Sequence, residues 1–175
     1  GCYGFYDSQP HNVSLNLSQQ YHLARKLIMK TVDTFLPYAN KIVLSGVPAN
    51  HGEMARSGKG QVVTSRLDNS DTMHLEICQE IMEQNPRYKK VSVSIPDGFH
   101  HTVDIKGLTV GFTHGHMHSG GTGPEGKIMK WWQGQMFGDF PVGDAEILIT
   151  GHFHHPRMMQ QGNRTWFQCP SIDAS

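Results

Sequence analysis

The sequence predicts an α/β fold in which layered β-sheets, arranged as a sandwich, are flanked by helices. Two observations support this class. Amphipathic helical patterns alternate with short apolar strands in the first half of the chain, and strand hairpins dominate the second half. We find no internal repeat and no linker, and 175 residues suffice for one hydrophobic core. We therefore expect residues 1–175 to form a single domain.

Three segments carry the apolar spacing of a helix. Residues 14–38 place apolar side chains at steps of three and four, and Asn12 or Ser14 is suited to cap the first turn. A second helix is expected over residues 71–84, with Ser70 or Asp71 as its N-cap. A third, shorter helix is expected over residues 127–137, and residues 1–12 are expected to be a loop.

The remaining apolar runs predict strands. Residues 41–44 and 145–150 have the β-branched, uninterrupted composition of buried strands, and residues 88–95 alternate. Two hairpins are expected, one around Lys106-Gly107 and one around Gly162-Asn163. Their strands would be residues 102–105 and 108–113, and residues 157–161 and 165–168.

Composition excludes several classes of protein. The formal net charge is zero, so no nucleic-acid or membrane partner is required by the overall charge. No apolar run approaches the length of a membrane span, no signal peptide is visible, and we expect no membrane partner. The three cysteines are scattered without a Cys-x-x-Cys pair, which argues against zinc fingers and disulfide frameworks and predicts a cytoplasmic protein.

Histidines follow the predicted strands. Half of the 12 histidines lie between His114 and His155. Three segments share one design, an apolar strand that runs into a loop with nitrogen or oxygen ligands: residues 43–53, 110–116 and 147–154. Ligands bind beyond the carboxyl ends of strands in α/β sheets, so we expect three such ends in one sheet to converge on one site.

The Gly-His-x-His sequence of residues 151–154 suits a metal ion. In extended backbone, residues i and i+2 lie on the same side, so two imidazoles reach one ion or two neighbouring ions. The preceding Gly151 permits an unusual backbone turn. A lone histidine is more often a surface or hydrogen-bonding residue, and this interpretation holds for His11, His22 and His74. It holds also for His100 and His101, while His118 and His155 are expected to be loop residues.

Three segments together resemble the later metal-binding motifs of the calcineurin-like metallophosphoesterases, in the same order along the chain: Asn50-His51, residues 114–116 and residues 151–154. Four stretches resemble phage-encoded members of the kind related to DNA-repair exonucleases: residues 48–53, 58–59, 68–71 and 130–135. The resemblance covers nearly the whole chain. It implies a site with two divalent metal ions, manganese first and iron, zinc or nickel as alternatives, in which an activated water attacks phosphorus.

The resemblance also assigns roles to individual residues. It implies that Asn50, His114 and His152 bind one metal ion and that His154 binds the other. His51 would contact the phosphate and protonate the leaving oxygen. Glu53 would orient His51, and His116 would lie beside the ligands or the substrate.

Two departures from the family pattern stand out. Ala49 occupies a position where the family usually has Gly, so its backbone must avoid a positive φ. The early Asp-x-His and Gly-Asp motifs are absent, and Gly1-Cys2-Tyr3-Gly4 resembles the sequence just after the second of them, whereas Asp7 lies in no matching motif. We therefore expect the chain to be the C-terminal portion of such a domain.

The resemblance leaves the function open among three alternatives. A phosphodiesterase or nuclease acting on DNA comes first, with Trp131 and Trp132 as base-stacking side chains or, preferably, as core residues. A phosphomonoesterase acting on a nucleotide or phosphoprotein is the second. The third is a non-catalytic metal-binding subunit. Related repair nucleases often form homodimers, which makes a homodimer a further expectation.

Overall fold

The computed structural model describes residues 11, 13–54 and 63–171, which belong to two compact units, Gly1–Asp97 and Gly98–Ser175. Each unit combines a β-sheet with helices, so the predicted α/β class is confirmed. The loop expected at residues 1–12 lies outside the described residues apart from His11. The motif-like residues 58–59 and Asp7 also lie outside them.

The first unit pairs two helices with a parallel two-stranded sheet. Its elements are α1 (Leu17–Phe35), β1 (Ile42–Ser45), α2 (Ser70–Glu83) and β2 (Val91–Ser94). Strand β1 runs parallel to β2 with Leu44 opposite Val93. One core cluster joins α1, α2 and the strands: Val32, Leu36, Cys78, Met82 and Tyr88.

Polar caps fix where both helices begin, and both differ from the expected caps. Asn16 and Gln19 form a reciprocal capping box at the start of α1, so neither Asn12 nor Ser14 is the cap. Asn69 accepts a hydrogen bond from the Asp71 backbone N–H and caps α2 in place of Ser70 or Asp71. Each helix therefore starts within a few residues of its expected position, at the side chain whose oxygen reaches the free N–H groups.

The second unit is a mixed five-stranded sheet with strand order β3-β4-β5-β7-β6. Both expected hairpins are confirmed, β3–β4 and β6–β7. Strand β5 lies between them and runs parallel to both β4 and β7. The strands are β3 (His100–Ile105), β4 (Leu108–Thr113), β5 (Ile147–Thr150), β6 (Arg157–Gln161) and β7 (Arg164–Gln168).

Helix α3 (Gly123–Phe137) packs on the core of the second unit. Trp132 lies in this core and donates from its indole nitrogen to the Val142 carbonyl at 2.9 Å. The core interpretation of Trp132 is therefore confirmed. No helix among the described residues is long and apolar enough to cross a lipid bilayer.

The three strand-end segments do not lie in one sheet. Strand β1 belongs to the two-stranded sheet of the first unit, whereas β4 and β5 belong to the five-stranded sheet of the second. The expectation of three strand ends in a single sheet is therefore wrong. It failed because strand pairing is set by contacts between distant segments, which an apolar run does not encode.

Candidate metal-binding site

In the second unit, the ends of β4 and β5 bring two histidine segments together. The strands are parallel neighbours with Thr113 opposite Thr150, and both threonines are buried. The chains leave the sheet side by side, and the Gly151 N–H donates to the His114 carbonyl at 3.2 Å. A side chain at Gly151 would place its Cβ 3.3 Å from His114 Nδ1, so glycine keeps this approach open.

Three imidazole rings cluster beyond these strand ends. The ring centroids of His114 and His152 are 5.2 Å apart, those of His114 and His116 are 5.3 Å apart, and those of His116 and His152 are 6.3 Å apart. Two imidazoles on one tetrahedral ion, with metal–nitrogen distances of about 2.1 Å, have centroids about 5 Å apart. The centroid separation of His114 and His152 therefore has the size that a shared metal ion requires.

A complete ligand set is not present in this cluster. Among the described residues, no group of three or more His, Cys, Asp or Glu side chains is arranged to hold a metal ion. His114 and His152 supply two nitrogens, and an ion of coordination number four or more needs further ligands. The ring spacing thus supports a pair of ligands and does not define a full site.

The backbone at His152 and His154 is in the left-handed region, with φ of 71° and 61°. Non-glycine residues adopt this region rarely, and such positions cluster at functional sites. Phe153 N–H donates to the Gly151 carbonyl at 2.9 Å, so His152 is the central residue of a turn of the strained γ type. The sequence had pointed to Gly151 for the unusual turn, but the structure places it at the two histidines.

Among the described residues, His154 takes no part in the ring contacts of the cluster. His154 is exposed, and within the described part of the chain no ring contact joins it to His114, His116 or His152. Its backbone carbonyl accepts a hydrogen bond from Ser171 N–H at 3.0 Å, which ties the loop to the segment after β7.

His118 is a neighbour of this cluster that sequence reasoning treated as an ordinary loop residue. It does lie in a loop, but it is only 7% exposed and stacks on Trp131 with centroids 4.0 Å apart. Burial, aided by nearby His116, His152 and His100, lowers the pKa of His118 to about 4. No spacing rule links a loop histidine to a ring in the following helix, so the sequence held no signal for this contact.

In the first unit, Asn50 and His51 lie in a short 3₁₀ turn, Asn50–Gly52, just beyond β1. The preceding Ala49 has φ of −110°, so a residue with a side chain fits there without strain. The Glu53 side chain is fully buried and forms an ion pair with Arg66 at 2.8 Å. The structure thus gives Glu53 a cationic partner that the sequence did not suggest.

Comparison with known proteins identifies partial likenesses. No family model matches the chain, and no curated protein matches it. The chain is similar to the structure of a predicted phosphoesterase from Streptococcus pneumoniae, with 12% identity over 85% of this chain and 66% of that one and a TM-score of 0.40. It is also similar to zinc-complexed Vps29 from Entamoeba histolytica, with 22% identity over 45% of this chain and 39% of that one and a TM-score of 0.33.

A third likeness is to Vps29 from Cryptosporidium parvum, with 17% identity, a TM-score of 0.31, and coverage of 73% of this chain and 71% of that one. The chain spans less than two thirds of the first two proteins named. Likenesses with these identities and TM-scores do not assign an activity to the chain.

Proposed function

We propose that the complete protein is a metal-dependent phosphoester hydrolase and that His114 and His152 hold one of its divalent ions. The observation that carries the proposal is their 5.2 Å ring separation at the ends of adjacent parallel strands, with His152 held at a φ of 71°. Strained backbone at a cluster of metal-binding side chains is a functional signature, because selection for stability alone would remove it.

The roles proposed for the other residues follow the sequence resemblance. The resemblance implies metal-ligand roles for Asn50 and His154 and supporting roles for Glu53 and His116. When bound, divalent ions neutralise phosphate oxygens and lower the pKa of a coordinated water. His51 protonates the leaving oxygen, and the fixed backbone at His152 holds its imidazole ready for the ion.

Imidazole and amide-oxygen ligands are compatible with manganese, iron, zinc and nickel, and we propose manganese first. Two ions, a homodimer and a cytoplasmic location stay predictions from the sequence.

For the substrate, we propose a phosphodiester, with DNA as the first candidate. Trp132 is buried in the core, which leaves Trp131 as the one member of the pair with partial exposure, and His118 covers one face of its ring. A phosphomonoester substrate is the enzymatic alternative, and a non-catalytic metal-binding subunit is the alternative of another class. Binding to DNA that weakens steeply with salt would favour the first candidate.

The test is turnover of bis-p-nitrophenyl phosphate by the complete protein with added manganese. We expect His114→Ala and His152→Ala to abolish turnover, and we expect His155→Ala, an exposed neighbour in the same loop, to retain it. Undiminished turnover in His152→Ala would contradict the proposal. Manganese binding without turnover of any phosphoester would favour the non-catalytic subunit.

A further inference from the structure

Two side chains at the start of α2 bind both backbone groups of Ala49, the residue just before the Asn50–Gly52 turn. The Ala49 N–H donates to Asp71 Oδ2 at 3.0 Å. The Ala49 carbonyl accepts from Asn69 Nδ2 at 2.8 Å. The turn that carries Asn50 and His51 is therefore attached to α2 by side chains some twenty residues further along the chain.

The end of α2 fixes the positions of these two side chains. Asn69 is the N-cap, only 3% exposed, and its Oδ1 accepts from Asp71 N–H at 3.0 Å. Asp71 lies in the first helical turn, where the helix dipole stabilises a carboxylate. Capping requires only the Asn69 oxygen. The bond that Asn69 Nδ2 donates to Ala49 and the bond that Asp71 Oδ2 accepts from it therefore have a separate role.

Close packing completes the attachment. The Gly52 N–H closes the turn on the Ala49 carbonyl at 3.1 Å, and a Cβ added to Gly52 would overlap Asn69 Oδ1 and Asp71 Oδ2. Beyond the turn, Glu53 forms an antiparallel bridge with Asn69. The turn is thus bound before, within and after Asn50 and His51.

We infer that Asn69 and Asp71 are positioning residues that act through Ala49 to fix the directions of the Asn50 amide and the His51 imidazole. The effect on catalysis rests on the proposed function. The attachment of the turn to α2 rests on the hydrogen bonds alone. Removing a residue that hydrogen-bonds to a metal ligand typically lowers metal affinity or activity by about 10–100-fold, because such residues hold the ligand in its productive orientation.

The experiment separates positioning from helix capping. Asn69→Ser keeps a good N-cap but its shorter side chain loses the bond to the Ala49 carbonyl. Asp71→Ala loses the acceptor for Ala49 N–H, and Asp71→Asn keeps an oxygen acceptor of the same shape. Val32→Ala, in the core of the same unit, controls for lost stability. Asp68→Asn, whose carboxylate accepts from exposed Thr64, controls for lost charge.

Two readouts are needed, both on the complete protein. The first is hydrogen exchange of the Ala49 and Gly52 amides without added metal. The second is manganese-supported turnover of bis-p-nitrophenyl phosphate. We expect Asn69→Ser and Asp71→Ala to accelerate the exchange at least tenfold beyond Val32→Ala and to lower kcat by about 10–100-fold with little change in KM. Asp71→Asn and Asp68→Asn should resemble the unaltered protein in both.

The outcomes are distinguishable. Exchange that changes no more than in Val32→Ala would overturn the inference, and so would unchanged turnover in variants whose exchange is accelerated. Accelerated exchange in a protein that shows no turnover before any substitution would count against the proposed function, while the attachment of the turn to α2 would be supported.

Discussion

The imidazole rings of His114 and His152 lie 5.2 Å apart because the strands that precede them are parallel and in register, with Thr113 opposite Thr150. A shift of the register by one residue would turn every side chain of one strand to the other face of the sheet. The indole nitrogen of Trp166 donates to Thr150 Oγ1 at 2.9 Å and fixes the end of β5 from the next strand. The separation of the two rings is thus set by the sheet rather than by the loops alone.

The paired histidines predict a shared loss of metal affinity. We expect His114→Ala and His152→Ala each to weaken manganese or zinc binding to the complete protein by more than about 100-fold, because loss of an outer partner alone costs about 10–100-fold. Isothermal titration calorimetry measures this directly. His155→Ala is the control, and equal affinity in His152→Ala would remove His152 from the ligand set.

Because His152 and His154 have left-handed backbone, we predict that glycine at either position stabilises the metal-free protein. We expect His152→Gly and His154→Gly each to raise the free energy of unfolding by about 1 kcal/mol, since relief of strain outweighs the added freedom of the unfolded chain. Urea denaturation in a chelator measures the change.

Asp139→Gly is the matched control, because Asp139 has φ of 56° and belongs to no predicted site. It should stabilise the protein similarly and leave metal binding intact, whereas the histidine substitutions should abolish it. Stabilisation by Asp139→Gly together with destabilisation by both histidine substitutions would show that the histidine conformations are not strained.

Gly52→Ala should disrupt the turn that carries Asn50 and His51. The added methyl group would overlap Asn69 and Asp71, and overpacking typically costs about 1–3 kcal/mol. We expect a lower melting temperature and strongly reduced turnover of bis-p-nitrophenyl phosphate. Gly98→Ala is the control, since no atom of the described residues lies within 4 Å of its added Cβ. A Gly52→Ala protein with unaltered stability and turnover would refute the prediction.

Three buried or half-buried histidines predict that the metal-free protein loses stability in acid. Burial lowers the pKa of His74, His100 and His101 below 6.5, the value expected for the unfolded chain. The unfolded state therefore takes up protons first as the pH falls, so stability is complete above pH 6.5 and declines below it.

Differential scanning calorimetry of the metal-free protein between pH 7.5 and about pH 5 checks this, with a falling melting temperature expected. His101→Gln should flatten the decline, and the exposed-residue control His11→Gln should leave it unchanged. A melting temperature that rises as the pH is lowered would contradict the sign of the effect.

Local patterns predicted the elements well where the side chains themselves create the signal. The Lys106-Gly107 turn identified the β3–β4 hairpin, and both residues have positive φ, as the turn requires. The helix starts were less accurate, because several neighbouring polar residues are plausible caps and only the folded backbone decides which oxygen reaches the free N–H groups. His118 is a loop residue as expected, but its stacking on Trp131 left no signal in the sequence, because it depends on where α3 packs.

The sequence by itself determined the α/β class, the hairpins and the placement of histidines directly after apolar strands, since these depend on local periodicity and turn chemistry. Only the tertiary structure decided which strands are neighbours, and hence that His114 meets His152 while β1 joins another sheet. It also decided that His152 and His154, rather than Gly151, take the left-handed backbone, and that α2 holds Ala49. These features depend on contacts between distant segments, whose free energies no local pattern records.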